Sequence, residues 1–379
     1  MAKKPFLKYN RNTVSEVTYK TFEIAKKEKA FITMIAIFTF ICGIISPYPQ
    51  IAMWVGFGLA AYSAIANDSI QTIGTFIASN SKKPWWILWL FMGIIFLATV
   101  LYSWIVFDGD VSSQRLLTKG FDKAPTSFSF LQLAAPILLL VLTRFRMPVS
   151  TTFLLLSAFS TQASSIGAMV GKSLTGYGLA FISAIFVWFI VSKFVSKYFK
   201  SKKPAKFWTP VQWIISGALW SVWVSQDAAN IAVFLPRSLD IYQFIGFAGF
   251  IFIGMGLLFY LKGDKIQSIV NEKAGVTDIR AATIVDFVYA ILLYYFKVIS
   301  TVPISTTWVF IGLLGGREVA IAISKKRYKK RIKNIKRASK IVGRDFLYAT
   351  IGLVLSVLLA IGVNKKFQDQ LVNEFMNLF

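Results

Sequence analysis

The sequence predicts an all-α polytopic membrane protein. Two inverted-topology repeats of about five segments each carry discontinuous helices or hairpins at the midplane, and an extra N-terminal span precedes them. Three observations lead there. The 379-residue chain is 56% hydrophobic and 16% aromatic, and its apolar runs approach bilayer-spanning length. A pair of polar motifs occurs twice, in the same order and at nearly the same spacing. The formal net charge of +25 is gathered into short basic blocks between apolar runs, the pattern of cytoplasmic loops.

Composition also excludes several chemistries. The chain has no histidine, which removes Ser-His catalysis, HExxH zinc sites and histidine proton relays. Its single cysteine, Cys42, rules out an intramolecular disulfide and a cysteine-rich metal site. The basic blocks carry no motif that reads bases, so nucleic acid is not an expected partner. Anionic lipids at the basic loops are. Nothing implies an enzyme or a cofactor.

Residues 1–29 form a basic, partly amphipathic segment with eight Lys/Arg. It reads equally as a cytoplasmic helix on the inner leaflet and as a solvated tail. Residues 30–50 hold the extra N-terminal span. No small-residue cleavage site follows it, so it is expected to be a retained anchor.

The first repeat covers 51–198. The apolar run 51–68 ends in Asn67-Asp68 and passes into a polar, glycine-containing break closed by Lys82-Lys83-Pro84. Residues 85–107 span, opened by Trp85-Trp86, which suit the headgroup interface. The loop 108–128 has three acidic and three basic residues. Residues 129–143 span and end at Arg144 and Arg146. The segment Met147-Pro148-Val149-Ser150-Thr151-Thr152 then starts a helix expected to run to about 170, and 174–192 span again.

A basic linker, 199–210, leads to the second repeat, 211–363. Residues 211–227 run into Gln226-Asp227. Residues 241–261 and 282–300 span around a mixed-charge loop. Val302-Pro303-Ile304-Ser305-Thr306-Thr307 opens a helix over 303–323. Residues 325–344 carry eleven Lys/Arg and no acid. The last span is 346–363, and 364–379 is a C-terminal tail. Placing the N-terminus and the basic blocks in the cytoplasm threads eleven apolar segments consistently. Five segments per repeat then invert the second copy relative to the first. The location expected is the cytoplasmic membrane.

The repeated motifs have a definite chemistry. Proline is at home at or before a helix start, and Ser and Thr are N-cap residues. The first turn of such a helix offers unpaired N–H groups, hydroxyls and the positive dipole end, which together form an anion site. Plain capping is the alternative for one isolated motif. Two copies at matched positions favour the anion. Asp68 and Asp227 complement them. A carboxylate in the bilayer is expensive and normally functional. Asn67 and Gln71 flank the first, and Gln226 and Asn230 flank the second. Carboxylate, amide and backbone oxygens suit Na⁺ or a proton-carrying acid. Arg237 lies beyond Pro236 and reads two ways, as an interfacial arginine near Asp240 or as an anion ligand.

These four motifs resemble those of the PiT family of inorganic phosphate transporters, which also includes sulfate permeases. That family pairs two Asn-Asp-x-Ala-Asn-type signatures with two Pro-Val-Ser-Thr-Thr-His signatures in inverted repeats. Here Asn67-Asp68 matches the first signature, with Gln71 where the second Asn is usual. Asp227 and Asn230 match the second, with Gln226 in place of Asn. Ser150-Thr151-Thr152 and Ser305-Thr306-Thr307 match the hydroxyl triplets, while Phe153 and Trp308 replace the usual histidines. The usual Gly-Pro after the second signature is replaced by Phe234-Leu235-Pro236-Arg237. The resemblance implies secondary active transport of phosphate, with sulfate or another oxyanion as the alternative, coupled to Na⁺ or H⁺. The substrate ligands expected are Ser150, Thr151, Thr152, Ser305, Thr306, Thr307, Gln71, Asn230 and Arg237. The cation-coupling residues expected are Asn67, Asp68, Gln226 and Asp227, with Na⁺ on Asp68 and Asp227. A second copy of the chain is a candidate partner.

Overall fold

The computed structural model describes residues 28–117, 120–145, 147, 149–160, 162–198, 204–261, 279–299, 302–324, 328–364 and 368–369. Side chains are described there except at 68–71, 163, 191–198 and 328–331. The basic segment 1–27, residues 199–203 of the linker and most of the tail lie outside the described residues. Every extended regular element described is a helix. In order these are α1 (Lys29–Ile45), α2 (Pro49–Ala64), α3 (Ile70–Ser79), α4 (Trp85–Val106), α5 (Phe130–Arg144), α6 (Ala163–Tyr198), α7 (Trp208–Ala232), α8 (Ile241–Tyr260), α9 (Ile279–Ile299), α10 (Thr306–Ile323) and α11 (Tyr328–Val363).

Among the described residues, seven helical stretches are long and apolar enough to cross a membrane. The 22 residues of α4 rise roughly 33 Å at 1.5 Å per residue, close to the hydrocarbon thickness. Helices α1 and α5 are apolar but shorter. Large apolar side chains face outward all round the bundle. Ile94 is 60% exposed, Ile214 and Ile253 are each 71% exposed, and Phe186 is 66% exposed. An apolar belt of this extent belongs against lipid. The chain is a multi-pass membrane protein.

Sequence signals set several boundaries. Ser129 caps α5 through a capping box with Gln132, and Asp240 does the same for α8 with Gln243. Pro84 precedes α4, and Pro49 opens α2. The order of elements around the motifs is similar in the two halves: an aspartate-bearing helical segment, further helices (α3–α5 in the first, α8 and α9 in the second), a Ser-Thr-Thr element and a 36-residue helix.

Two expectations of the sequence are corrected. The polar stretch after Asp68 is not a break, because α3 runs helically through Thr72-Ile73-Gly74. The irregularity lies in a π-helical turn, Ile65–Ser69, that joins α2 to α3 and contains Asn67 and Asp68. Such insertions bend a helix and often mark functional positions. The first Ser-Thr-Thr element, moreover, does not run to about 170. It is a π-helical turn, Thr152–Leu156, that stops before Ser160. One continuous helix, α6, then follows. Carbonyls freed by this stop find side-chain donors. Gln132 Nε2 donates to Ala158 O at 3.0 Å, and Asn364 Nδ2 donates to Ser160 O at 2.7 Å. Broken backbone inside a membrane protein persists only when so satisfied.

Helix α10 is the centre of the bundle, with every residue from Thr306 to Arg317 buried. It packs most extensively on α6 and also on α11. The approach to α6 is set by glycine. A Cβ at Gly312 would collide with the Tyr177 carbonyl oxygen, and one at Gly316 with the Phe181 carbonyl oxygen. Small residues four apart let two helix backbones touch. Gly312→Ala or Gly316→Ala should therefore cost about 1–3 kcal/mol through overpacking. Thermal unfolding in detergent should show a lower midpoint for either variant. Gly178→Ala faces open space and should unfold like the wild type.

Candidate functional site

Helix α7 buries its whole motif from Ser225 to Asn230. Asp227 is 1% exposed, and its two oxygens are held from different directions. Oδ1 accepts from Asn230 Nδ2 at 2.6 Å, one turn along the same helix. Oδ2 accepts from Thr306 Oγ1 at 2.7 Å, on the first turn of α10. Asn230 Nδ2 also donates to Thr152 Oγ1 at 3.2 Å. Aspartate and amide of the second half thus meet a hydroxyl from each Ser-Thr-Thr motif.

The two motifs lie directly against one another, and their contacts are reciprocal. Thr152 Oγ1 donates to Ile304 O at 3.2 Å, and Thr307 Oγ1 reaches Val149 O at 3.5 Å. Asn67 Nδ2 donates to the same Val149 carbonyl at 3.1 Å, which ties the first aspartate motif to this crossing. Phe153 and Trp308 meet edge to face with centroids 5.8 Å apart. Pattern analysis identified each of these motifs. What it did not supply is the particular bonds by which they meet.

Within the triplets the residues divide their work. Ser150 Oγ accepts from Phe153 N–H at 3.1 Å, and Ser305 Oγ accepts from Trp308 N–H at 3.2 Å. Both serines are caps, which is the plain reading of their position. Thr152, Thr306 and Thr307 reach across to other elements. Thr151 is buried in the same turn. Asp68 lies in the π-helical turn and Gln71 in the first turn of α3. Their side chains are outside the described set.

Arg237 is not brought into this group. Its Nε donates to Phe121 O at 2.9 Å, Nη1 to Val233 O at 3.2 Å and Leu235 O at 2.9 Å, and Nη2 to Lys123 O at 2.9 Å. It ties the loop after α4 to the turn after α7. Burial pushes its guanidinium down to about 10, opposed by the charges of Asp110 and Asp122. Asp240, read as its partner, caps α8 instead.

Sequence reasoning passed over two groups. Arg115, in a 3₁₀ turn of the loop after α4, is 1% exposed. Burial pushes it down to about 10, and the Asp227 charge opposes that shift. It stays charged at neutral pH. Asp286 on α9 is likewise 1% exposed. It accepts from Thr75 Oγ1 at 2.6 Å and from Ser216 Oγ at 2.5 Å. It pins α3, α7 and α9 together at the side of the bundle where Asn80 and Gln212 pair at 2.9 Å. An aspartate inside an apolar run was the available signal.

The donor set at Asp227 fits a hard cation. Gln226 Oε1 and Asn230 Oδ1 are buried with no hydrogen-bond partner. They lie one helical turn apart on either side of the carboxylate. Buried oxygens in native proteins are otherwise almost always paired, and unpaired acceptors beside a carboxylate are the ligands Na⁺ takes. Among the described residues no group of three or more His, Cys, Asp or Glu gathers, so a transition-metal site has no ligand set there.

No protein-family model matches the sequence, and no curated protein matches it. Among solved structures, the chain is similar to one described as "The sodium-dependent phosphate transporter". The alignment has a TM-score of 0.49 at 18% identity and covers 83% of this chain and 99% of that chain.

The division of work in the triplets makes a prediction. Ser305→Ala should lower stability by about 0.5–2 kcal/mol, the usual worth of a cap. Ser305→Thr should retain most of it. Thr306→Val removes a donor to a buried carboxylate and should cost more, about 1.5–3 kcal/mol. Denaturant titration of the purified variants checks this order.

Proposed function

We propose that the protein is a secondary active transporter that moves inorganic phosphate across the cytoplasmic membrane, coupled to Na⁺ or H⁺. The observation that carries this reading is the convergence of both Ser-Thr-Thr motifs on Asp227 and Asn230. The first turn of α10 and the π-helical turn after Thr151 bring hydroxyls to one place, with the α10 N–H dipoles behind them, which suits a tetrahedral oxyanion. The carboxylate with its neighbouring amide oxygens suits the coupling cation. The four-motif resemblance points the same way.

On this reading the two halves are inverted repeats, each supplying one anion-binding turn and one aspartate. The reciprocal contacts of Thr152 and Thr307 support such a pairing. Transport then proceeds by rocking of one half against the other around a fixed midplane site. The N-terminus and the basic loops face the cytoplasm. A site built of helix turns and carboxylates serves binding, and catalysis needs no part in it.

Sulfate is the second reading. Hydrogen phosphate can donate a hydrogen bond and sulfate cannot, so the buried Asp227 carboxylate favours phosphate. Uptake of labelled phosphate and labelled sulfate into proteoliposomes, under Na⁺ and proton gradients separately, tests both. Phosphate uptake under one gradient is expected, and no uptake of either anion under either gradient overturns the proposal. Asp227→Asn and Asp68→Asn should each abolish coupled uptake while the protein still inserts, since neutral side chains are easier to bury. Wild-type rates with the same cation dependence in both variants would make the carboxylates structural.

A further inference from the structure

Three cationic residues from three separate elements lie near the approach to the second Ser-Thr-Thr motif. Arg115 Nη2 donates to the carbonyl of Lys297, near the end of α9, at 3.5 Å. Lys172 Nζ, on α6, donates to Val302 O at 2.6 Å. Val302 stands three residues before Ser305. Ser173, the neighbour of Lys172, accepts the Ser305 N–H at 2.9 Å. The chain therefore enters α10 beside Lys172 and Ser173. Arg115 lies within electrostatic reach of Lys172, Lys297 and Asp227.

The loop that carries Arg115 is shaped to hold it inward. Asp110 accepts from Ser112 N–H at 2.7 Å and from Gln114 N–H at 2.6 Å. Ser103 Oγ fixes the Asp110 carbonyl at 2.6 Å. Ser113 and Gln114 take positive φ of 52° and 65°, which turns the next residue, Arg115, toward the core. The loop's 3₁₀ turn packs on α7, the helix of Asp227.

The formal charges of Arg115, Lys172, Lys297 and Asp227 are three positive and one negative. Arg115 is buried while Lys172 and Lys297 are half-buried; like charges brought together repel, and an anion among them removes that repulsion. A guanidinium presents a planar fork to two oxygens, and an ammonium adds a point charge. We propose that Arg115, Lys172 and Lys297 form a docking site at which the substrate anion is held before it reaches the hydroxyls of α10, and that their excess charge selects divalent oxyanions over monovalent ones. This rests on the oxyanion-transport reading and adds the residues that set its charge selectivity.

The test is equilibrium binding of labelled phosphate and labelled sulfate to the purified chain in nanodiscs, with uptake measured in parallel. Arg115→Gln should weaken affinity at least about tenfold, the loss of one charged hydrogen-bonding partner. Lys172→Gln should weaken it severalfold, and Arg115→Lys should fall between Arg115→Gln and the wild type. Lys123→Gln, an exposed lysine of the same loop, should bind normally. Nitrate should compete poorly. Wild-type affinity in both Arg115→Gln and Lys172→Gln overturns the inference, as does nitrate competing as well as sulfate. Should Arg115→Gln fail to elute as a folded species in gel filtration, Arg115→Lys and Lys172→Gln decide the matter. Binding that is lost in these variants, in a wild type that transports neither anion, sinks the transport reading and leaves the docking site standing. A wild type that binds neither phosphate nor sulfate sinks both.

Discussion

A carboxylate buried in an apolar interior must find donors, and Asp227 finds them on α7 and α10, two helices of the second half of the chain. Thr306 and Asn230 occupy its two oxygens, and Asn230 hands the connection on to Thr152. An unsatisfied buried carboxylate is costly enough to unfold a protein of ordinary stability. The positions of α7, α10 and the first Ser-Thr-Thr turn are therefore set together. None can shift far without stranding the charge or replacing its partner.

The surrounding packing divides into a rigid part and a less regular part. Glycine contacts hold α6 and α10 backbone to backbone. Against this pair stand the π-helical turn at Ile65–Ser69 and the short turn at Thr152–Leu156, where the helical ladder is interrupted. Both irregular turns carry motif residues. The network around Asp286 secures α3, α7 and α9 on another side of the bundle, so the site lies between two braced regions.

Much of this was legible in the sequence. Apolar runs and basic blocks marked the helices, because bilayer thickness and loop charge leave few alternatives. The duplicated motifs marked the site, because polar residues in lipid demand a reason. What sequence did not reveal is of three kinds. The extent of the first Ser-Thr-Thr helix depends on Gln132 and Asn364, which are remote in the chain and invisible to local periodicity. Arg115 sat in a loop of balanced charge and looked like an ordinary surface residue, until the fold turned the loop inward. Arg237 was singled out for its chemistry, yet four nearby carbonyls claim its donors, and only three-dimensional neighbours decide that.

The bond from Asn364 to the Ser160 carbonyl has a consequence for biogenesis. Ser160 leaves the ribosome some two hundred residues before Asn364 does. During that interval the Ser160 carbonyl, just beyond the first Ser-Thr-Thr turn, lacks the Asn364 amide and must be satisfied by water, lipid headgroups or an insertion chaperone. The segment that follows the first Ser-Thr-Thr turn is thus made early and finished last. Its native geometry can be reached only once the final span is threaded.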